Sequence, residues 1–195
     1  MTRIYALIDC QLLSRYRITL ESVGAFLERK EITIAQYRDK TGSDDEVASA
    51  LKTLRQYYSG TLIVNDRLRL IDLADGLHLG QEDLASVDPD PDAAVAELRK
   101  RIGSKTLGLS THNAEEIAVA NRLDLDYVGL GAYRSTATKS DATVRGEALL
   151  EVSRLSRHPV AIIGGVRWEE TFELPIRWKV LGSALLEKIV EEAHA

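Results

Sequence analysis

The chain has 195 residues, of which 45% are hydrophobic, and its 25 basic and 30 acidic side chains give a formal net charge of −5. This length and apolar content predict one domain over residues 1–195 with a substantial core, and the single cysteine excludes an internal disulfide. The acidic excess argues against sequence-independent nucleic-acid binding, and the lack of a signal-peptide pattern and of a membrane-length apolar run predicts a cytoplasmic protein with no membrane partner.

Eight short runs rich in β-branched and other apolar residues recur along the chain, with amphipathic stretches between most of them. The predicted strands are, in order, Ile4–Ile8, Ile32–Tyr37, Thr61–Val64, Gly76–Leu79, Thr106–Ser110, Tyr127–Leu130, Val160–Ile163 and Trp178–Leu181. The predicted helices are Thr19–Arg29, Asp44–Tyr58, Arg67–Leu73, Pro91–Ile102, Ala114–Leu123, Glu147–Ser156, Trp168–Leu174 and Ala184–Glu192. Each helix thus links two strands or follows the last one, which is the order of repeated βα units.

The alternation of strands and helices predicts a (β/α)₈ TIM barrel, an α/β fold in which a parallel sheet closes on itself. The chain is slightly shorter than the usual size of about 200 residues or more, so we expect compact units. An open doubly wound sheet is the alternative, but that fold carries a glycine-rich turn after its first strand. Asp9, Cys10 and Gln11 stand at that position, which favours the barrel.

Polar residues collect after the predicted strands, where the carboxyl ends of a parallel barrel form the mouth of the active site. At the end of the second strand, Gln36, Arg38 and Lys40 alternate along the chain, so their side chains point the same way. The candidates at the other strand ends are Asn65, Asp66, Asp83, Ser110, Thr136, Thr138, Lys139, Gly165 and Ser183. A barrel would bring all of them to one face.

Two aspartates of this set, Asp66 and Asp83, follow neighbouring strands and can point into one pocket. Carboxylate oxygens combined with water and phosphate oxygens suit Mg²⁺, whereas either aspartate alone is better explained as a helix cap. Arg38, Lys40 and Lys139 are expected on the same rim. A concave rim with both signs of charge favours a metal–diphosphate group over surface ion pairs.

A second anion site is predicted at the seventh and eighth strands. Gly164 and Gly165 follow a buried strand and leave backbone N–H groups open at a helix entrance, although two glycines also commonly mark a tight turn. Ser183, after the eighth strand, can supply a neighbouring donor. The sequence therefore predicts a substrate pair that carries phosphates at two separate places.

Several motifs together resemble those of the thiamine-phosphate synthase family. They are QYRDK at 36–40, LIVNDRLRL at 62–70, ADGLHLGQEDL at 74–84, GLSTHNAEE at 108–116, DYVGLGAYRSTATKSDA at 126–142 and IGGV at 163–166. The motifs follow one another in the family's order and span most of the chain from Ile32 to Val166. The asparagine–aspartate pair, the GQED loop and the TxTK loop form a specific signal, whereas IGG alone does not.

The resemblance implies a (β/α)₈ barrel that joins an aminopyrimidine methyl diphosphate to a thiazole phosphate, with Mg²⁺, and releases pyrophosphate. It implies that Asp66 and Asp83 bind the metal, and that Gln36 and Asn65 face the aminopyrimidine. The diphosphate would contact Arg38, Lys40, Ser110, Thr138 and Lys139, and the three cations among them would act catalytically on the leaving group. Thr136 would lie near the thiazole, and the thiazole phosphate would contact Gly165 and the backbone near Ser183.

Two alternatives stay open beside this interpretation. A thiazole tautomerase shares the barrel, but such relatives lack the asparagine–aspartate pair that this chain carries as Asn65 and Asp66. A non-catalytic protein that binds thiamine precursors would keep the ligand contacts, but nothing in the sequence resembles an attached output domain. The sequence leaves open whether the chain forms a homo-oligomer and whether it prefers a carboxylated thiazole.

Overall fold

The computed structural model of the protein describes residues 2–134 and 146–194. Eight parallel strands close into a barrel in chain order, and β1 pairs with both β2 and β8. The strands are β1 (Arg3–Asp9), β2 (Ile34–Arg38), β3 (Thr61–Asn65), β4 (Gly76–Leu79), β5 (Thr106–Thr111), β6 (Tyr127–Leu130), β7 (Val160–Ile162) and β8 (Ile176–Leu181). The predicted (β/α)₈ barrel is confirmed, and pairing of the first with the last strand excludes the open sheet.

Helices surround the barrel, and two of them were not predicted. They are α1 (Cys10–Tyr16), α2 (Leu20–Arg29), α3 (Asp44–Tyr57), α4 (Gln81–Val87), α5 (Pro91–Ile102), α6 (Ala114–Ala120), α7 (Ala148–Ser153) and α8 (Ser183–Ala193), with a 3₁₀ helix at Leu68–Leu73. The unpredicted α1 and α4 have seven residues each, too few for a clear helical period, and each begins within two residues of a strand. No helix in the described part of the chain has the length and apolar content needed to span a bilayer.

The predicted helix over Trp168–Leu174 is wrong, because this connection between β7 and β8 is held without helical hydrogen bonds. Lys179, a buried residue of β8, donates to two of its carbonyl oxygens, including that of Glu170 over 2.8 Å. The hydroxyl of Thr2 donates to the carbonyl of Phe172 and accepts from its N–H, both over 2.7 Å. Side chains from outside the segment therefore satisfy backbone groups that a helix would pair internally.

Two apolar layers stabilise the barrel. The larger one lies between the strands and the helices, and the smaller one fills the barrel interior with Tyr5, Ile34, Ile63, Tyr127, Ala161 and Val180. Strand residues alternate in direction, so the next inward-facing positions toward the carboxyl ends lie directly above this interior layer. On β2 and β3 those positions hold Gln36 and Asn65, two of the candidate site residues.

Candidate active site

A cavity of about 180 Å³ opens at the carboxyl ends of the barrel strands. Nine of the residues selected from the sequence line it, namely Gln36, Arg38, Lys40, Asn65, Asp66, Asp83, Ser110, Gly165 and Ser183. The other three candidates, Thr136, Thr138 and Lys139, lie outside the described residues. The structure therefore brings the described candidates together in one cavity, while their roles toward a ligand stay predictions.

Arg38 is held at the cavity by Asp9, the last residue of β1. Arg38 Nη1 donates to Asp9 Oδ2, and the Asp9 side chain is only 4% exposed. The second oxygen, Oδ1, accepts from the N–H groups of Gln11 and Leu12 over 3.1 and 3.2 Å and so caps α1. One buried carboxylate therefore begins a helix and orients a cation at the cavity wall.

Asp66 and Asp83 converge, as the sequence predicts. Burial, followed by the charge of Asp83, raises the pKa of Asp66, and the ammonium of Lys40 acts in the opposite direction. The backbone of Asp66 lies in the left-handed region at φ 61°, and its N–H donates to the carbonyl of His78 over 2.9 Å. Asp83 Oδ2 also accepts from the N–H of Gly80 over 3.3 Å, so this carboxylate additionally caps α4, as the alternative proposed.

Two converging carboxylates fit a divalent cation, because burial and then the charge of Asp83 raise the pKa of Asp66, and a cation between the two carboxylates would offset their repulsion. Within residues 2–134 and 146–194, no group of three or more His, Cys, Asp or Glu side chains is arranged to hold a metal. A cation here would therefore take its remaining ligands from water or from oxygens of a bound ligand. This sharing is usual for Mg²⁺, which keeps several waters and seldom has an all-protein site.

A hydrogen-bonded chain of buried and half-buried polar side chains crosses the barrel, and several of its members line the cavity. Asn65 donates through Nδ2 to Asp66, and Gln36 donates through Nε2 to Asn65 Oδ1 over 2.7 Å. The hydroxyl of Tyr5 donates to Gln36 Oε1 over 3.2 Å and lies 2.7 Å from the hydroxyl of Tyr127. The amide side chains of the rim are therefore tied to two tyrosines of the interior layer.

The chain continues to the other side of the barrel through His78. Its Nδ1 lies 2.9 Å from the hydroxyl of Tyr127, and its Nε2 lies 2.9 Å from Ser110 Oγ. The His78 and Tyr127 rings also stack, with centroids 5.5 Å apart. Because both ring nitrogens are hydrogen-bonded, His78 is a buried histidine whose polar atoms are satisfied.

The cavity wall at β7 and β8 is built largely from backbone. Gly164 and Gly165 have φ values of 105° and 60°, which glycine adopts without the steric cost of a Cβ. Helix α8 begins at Ser183 after Gly182 as its N-cap, and both residues line the cavity. The first N–H groups of a helix lack intrahelical partners and favour anions, so this wall has the properties of a phosphate site.

Four residues of this arrangement escaped the sequence analysis as site components: Tyr5, Asp9, His78 and Tyr127. The alternation of side chains assigns each of Tyr5, His78 and Tyr127 to one of the two faces of its own strand, β1, β4 or β6. Both faces of a parallel barrel strand are apolar, however, so the pattern does not say which face is the interior. Asp9 carries a readable signal, since an aspartate directly after a strand is a good helix N-cap.

Comparison with known proteins identifies relatives along nearly the whole chain. The sequence model of a family described as thiamine monophosphate synthase matches residues 4–189. A thiamine-phosphate synthase from Persephonella marina is 38% identical over 182 residues, which cover 83% of this chain and 81% of that protein. A thiamine-phosphate synthase from Ruminiclostridium cellulolyticum is 35% identical over 196 residues, with coverages of 97% and 88%.

Solved structures give the same result for the fold. A thiamine phosphate pyrophosphorylase from Pyrococcus furiosus superposes with a TM-score of 0.74 at 26% identity, covering 98% of this chain and 97% of that chain. A 3-dehydroquinate dehydratase from Geobacillus kaustophilus superposes with a TM-score of 0.56 at 14% identity, with coverages of 84% and 74%. The second likeness concerns the barrel alone, since fold does not imply function.

Proposed function

The chain belongs to the thiamine monophosphate synthase family and is a transferase, and we propose that it joins 4-amino-2-methyl-5-(diphosphomethyl)pyrimidine to a thiazole phosphate or carboxythiazole phosphate. The products are thiamine phosphate and pyrophosphate. The observation that carries the proposal is the convergence of two carboxylates and two cations, Asp66, Asp83, Arg38 and Lys40, at one wall of the cavity. A wall with both signs of charge suits a metal–diphosphate group.

The diphosphate is proposed to lie against Arg38 and Lys40, with Lys139 and Thr138 as further contacts from the β6 loop. Asp66 and Asp83 would hold Mg²⁺, which supplies positive charge that stabilises the diphosphate as it leaves. Arg38 is oriented in advance by its bond to Asp9, so little reorganisation is needed when negative charge develops.

Charge stabilisation and orientation account for the reaction without a general base. The electron-rich aminopyrimidine supports a positive methylene carbon as the diphosphate departs, and the cations of the rim stabilise the departing group. The thiazole nitrogen is already a neutral nucleophile, so it needs alignment rather than deprotonation. Gln36 and Asn65 are proposed to align the pyrimidine, and Thr136 to lie near the thiazole.

The thiazole phosphate is proposed to lie at the backbone wall formed by Gly165 and the start of α8 at Ser183. The positive φ of Gly165 and the N-terminus of α8 support this assignment. The two proposed phosphate positions lie on opposite sides of the barrel, one at the ends of β2–β4 and the other at the ends of β7 and β8. This separation suits a reaction that joins two phosphorylated molecules between them.

The proposal is tested by mixing the purified protein with both substrates, with and without Mg²⁺, and measuring thiamine phosphate and pyrophosphate. We expect both products in equal amounts and only with the metal. Asp66→Asn should abolish turnover, whereas Asp45→Asn, at an exposed position of α3, serves as the matched control and should leave it unchanged. Absence of product from folded protein at saturating substrate would refute the proposed function.

A further inference from the structure

The hydrogen-bonded chain from Asp66 to Ser110 runs in one direction. Asn65 turns its Nδ2 hydrogens toward Asp66 and donates to Oδ2 of that side chain. Asn65 Oδ1 then faces Gln36, which must donate to it through Nε2 over 2.7 Å. Gln36 Oε1 is consequently turned to Tyr5, whose hydroxyl donates over 3.2 Å.

The rest of the chain follows because each hydroxyl carries a single proton. Tyr5 directs its proton to Gln36, so Tyr127 must donate to Tyr5 over 2.7 Å. Tyr127 then accepts from Nδ1 of His78, so this nitrogen carries a hydrogen. In a neutral imidazole Nε2 is then bare, and it accepts from the hydroxyl of Ser110 over 2.9 Å.

Two glycines in the strands leave space for the hydrogen-bonded side chains where these cross the barrel. A Cβ at Gly108 would lie 2.1 Å from Cζ of Tyr127, and a Cβ at Gly129 would lie 3.1 Å from Cε1 of His78. Tyr5 and Tyr127 are each only 1% exposed, so water does not compete for their hydroxyls. A buried network in which every member is paired is rigid and holds one arrangement.

We propose that Tyr5, Tyr127 and His78 are positioning residues that make the cavity select an aminopyrimidine over an oxopyrimidine. This inference rests on the proposed function, in which Gln36 contacts the pyrimidine. The chain fixes the Gln36 amide with Oε1 toward Tyr5 and Nε2 toward Asn65. Each of these two atoms has one further hydrogen-bonding position, an acceptor on Oε1 and a donor on Nε2.

An aminopyrimidine matches that pair of positions, because its amino group donates and the adjacent ring nitrogen accepts. A 4-oxopyrimidine presents the opposite pattern, with an accepting oxygen beside a donating ring N–H. A free glutamine would rotate its amide by half a turn and accept either ring. Gln36 cannot do so without breaking the bonds to Tyr5 and Asn65, so the chain excludes the oxo ring.

The direction of the hydrogen-bonded chain is measured, without any substrate, as the tautomer of His78. Two-dimensional ¹⁵N NMR of the imidazole, assigned by the signal lost in His78→Gln, should show hydrogen on Nδ1 in the wild type. Tyr5→Phe removes the oxygen that accepts the proton of Tyr127, so the Tyr127 hydroxyl becomes free to donate to His78. The Nδ1–H form should then lose its dominance, although position 5 does not touch the histidine through any bond in the chain.

Selectivity is measured by titrating the aminopyrimidine diphosphate and its 4-oxo analogue separately, without thiazole phosphate. The wild type should bind the amino compound at least about 100-fold more tightly, and Tyr5→Phe should reduce that ratio about tenfold, the effect of one hydrogen bond. Tyr127→Phe interrupts the hydrogen-bonded chain at a second point. It should disturb the tautomer of His78 while Tyr5 still donates to Gln36, so the binding ratio should fall less than in Tyr5→Phe. Tyr58→Phe is the matched control, since its buried hydroxyl has no hydrogen-bond partner among the described residues.

Hydrogen on Nε2 of wild-type His78, or equal binding of the amino and oxo compounds, would overturn the inference. So would a Tyr5→Phe variant that keeps both the tautomer and the selectivity of the wild type. A protein that shows the expected tautomer and selectivity but forms no thiamine phosphate supports the inference and contradicts the proposed function alone.

Discussion

Asp9 should stabilise the fold and the cation Arg38 at the same time, and two substitutions separate these effects. Asp9→Asn keeps an oxygen that can cap α1 but removes the charge that pairs with Arg38. Asp9→Ala removes both. Because Oδ1 caps the helix while Oδ2 accepts from Arg38, the two variants should differ by the contribution of the cap.

The expected magnitudes follow from the contacts of the carboxylate. A hydrogen bond to a charged group contributes about 1.5–3 kcal/mol, and the lower end applies here because the Arg38 side chain is 18% exposed and can regain water. Losing an N-cap costs about 1 kcal/mol more. Asp9→Asn should therefore lower the free energy of unfolding by about 1.5 kcal/mol and Asp9→Ala by about 2.5 kcal/mol. In a domain of this size these losses correspond to a Tm lower by about 3–6 and 5–10 °C.

Urea and thermal unfolding measure these losses, and calorimetric titration with pyrophosphate measures the effect on Arg38. Both variants should bind pyrophosphate about tenfold more weakly, because Arg38 is no longer oriented in advance by Asp9. A loss of about 1.4 kcal/mol corresponds to that factor. Asp90 provides matched controls, because its exposed side chain caps α5 by accepting from the N–H groups of Asp92 and Ala93 over 2.8 and 3.3 Å. Asp90→Asn should be neutral and Asp90→Ala should cost only the cap. If Asp9→Asn behaved like Asp90→Asn in both assays, the dual role of Asp9 would be refuted.

Three further predictions concern the cavity. In metal-free protein the pKa of Asp66 is raised in the folded state, so the free energy of unfolding falls as the pH rises through that pKa, and Asp66→Asn should raise the Tm at neutral pH. Mg²⁺ should raise the wild-type Tm in thermal scans. An equal rise in Asp66→Asn and Asp83→Asn would contradict the metal assignment. Gly165→Ala should weaken the binding of thiazole phosphate in titrations and leave the binding of the aminopyrimidine diphosphate unchanged. Gly103→Ala is the control for backbone strain alone, because Gly103 has φ 61° and an added Cβ would have no atom within 4 Å. Lys139→Ala should lower kcat about 100-fold and Lys139→Arg should recover part of it, as expected for charge stabilisation of a leaving group; an arginine variant as inactive as alanine, with wild-type activity rising through lysine deprotonation, would point to a base instead.

The amino-acid sequence by itself determined the class of fold and the residues at the mouth of the barrel. Strand and helix periods are local properties, and the carboxyl ends of parallel strands necessarily meet on one face. For this reason Gln36 on β2 and Ser183 on α8, far apart in the chain, were both expected at one cavity, and the structure brings both there.

Only the tertiary structure decided which side chains pair across the barrel. The bonds of Arg38 to Asp9 and of Tyr5 to Tyr127 depend on strand register and on which strand face turns inward, and neither quantity is visible in a run of apolar residues. The same holds for the connection at Trp168–Leu174, where apolar periodicity indicated a helix but the ammonium of Lys179 pairs with its carbonyl groups instead. A local pattern reports the preference of its own segment, whereas these outcomes depend on partners that lie elsewhere in the chain and meet the segment only when the barrel closes.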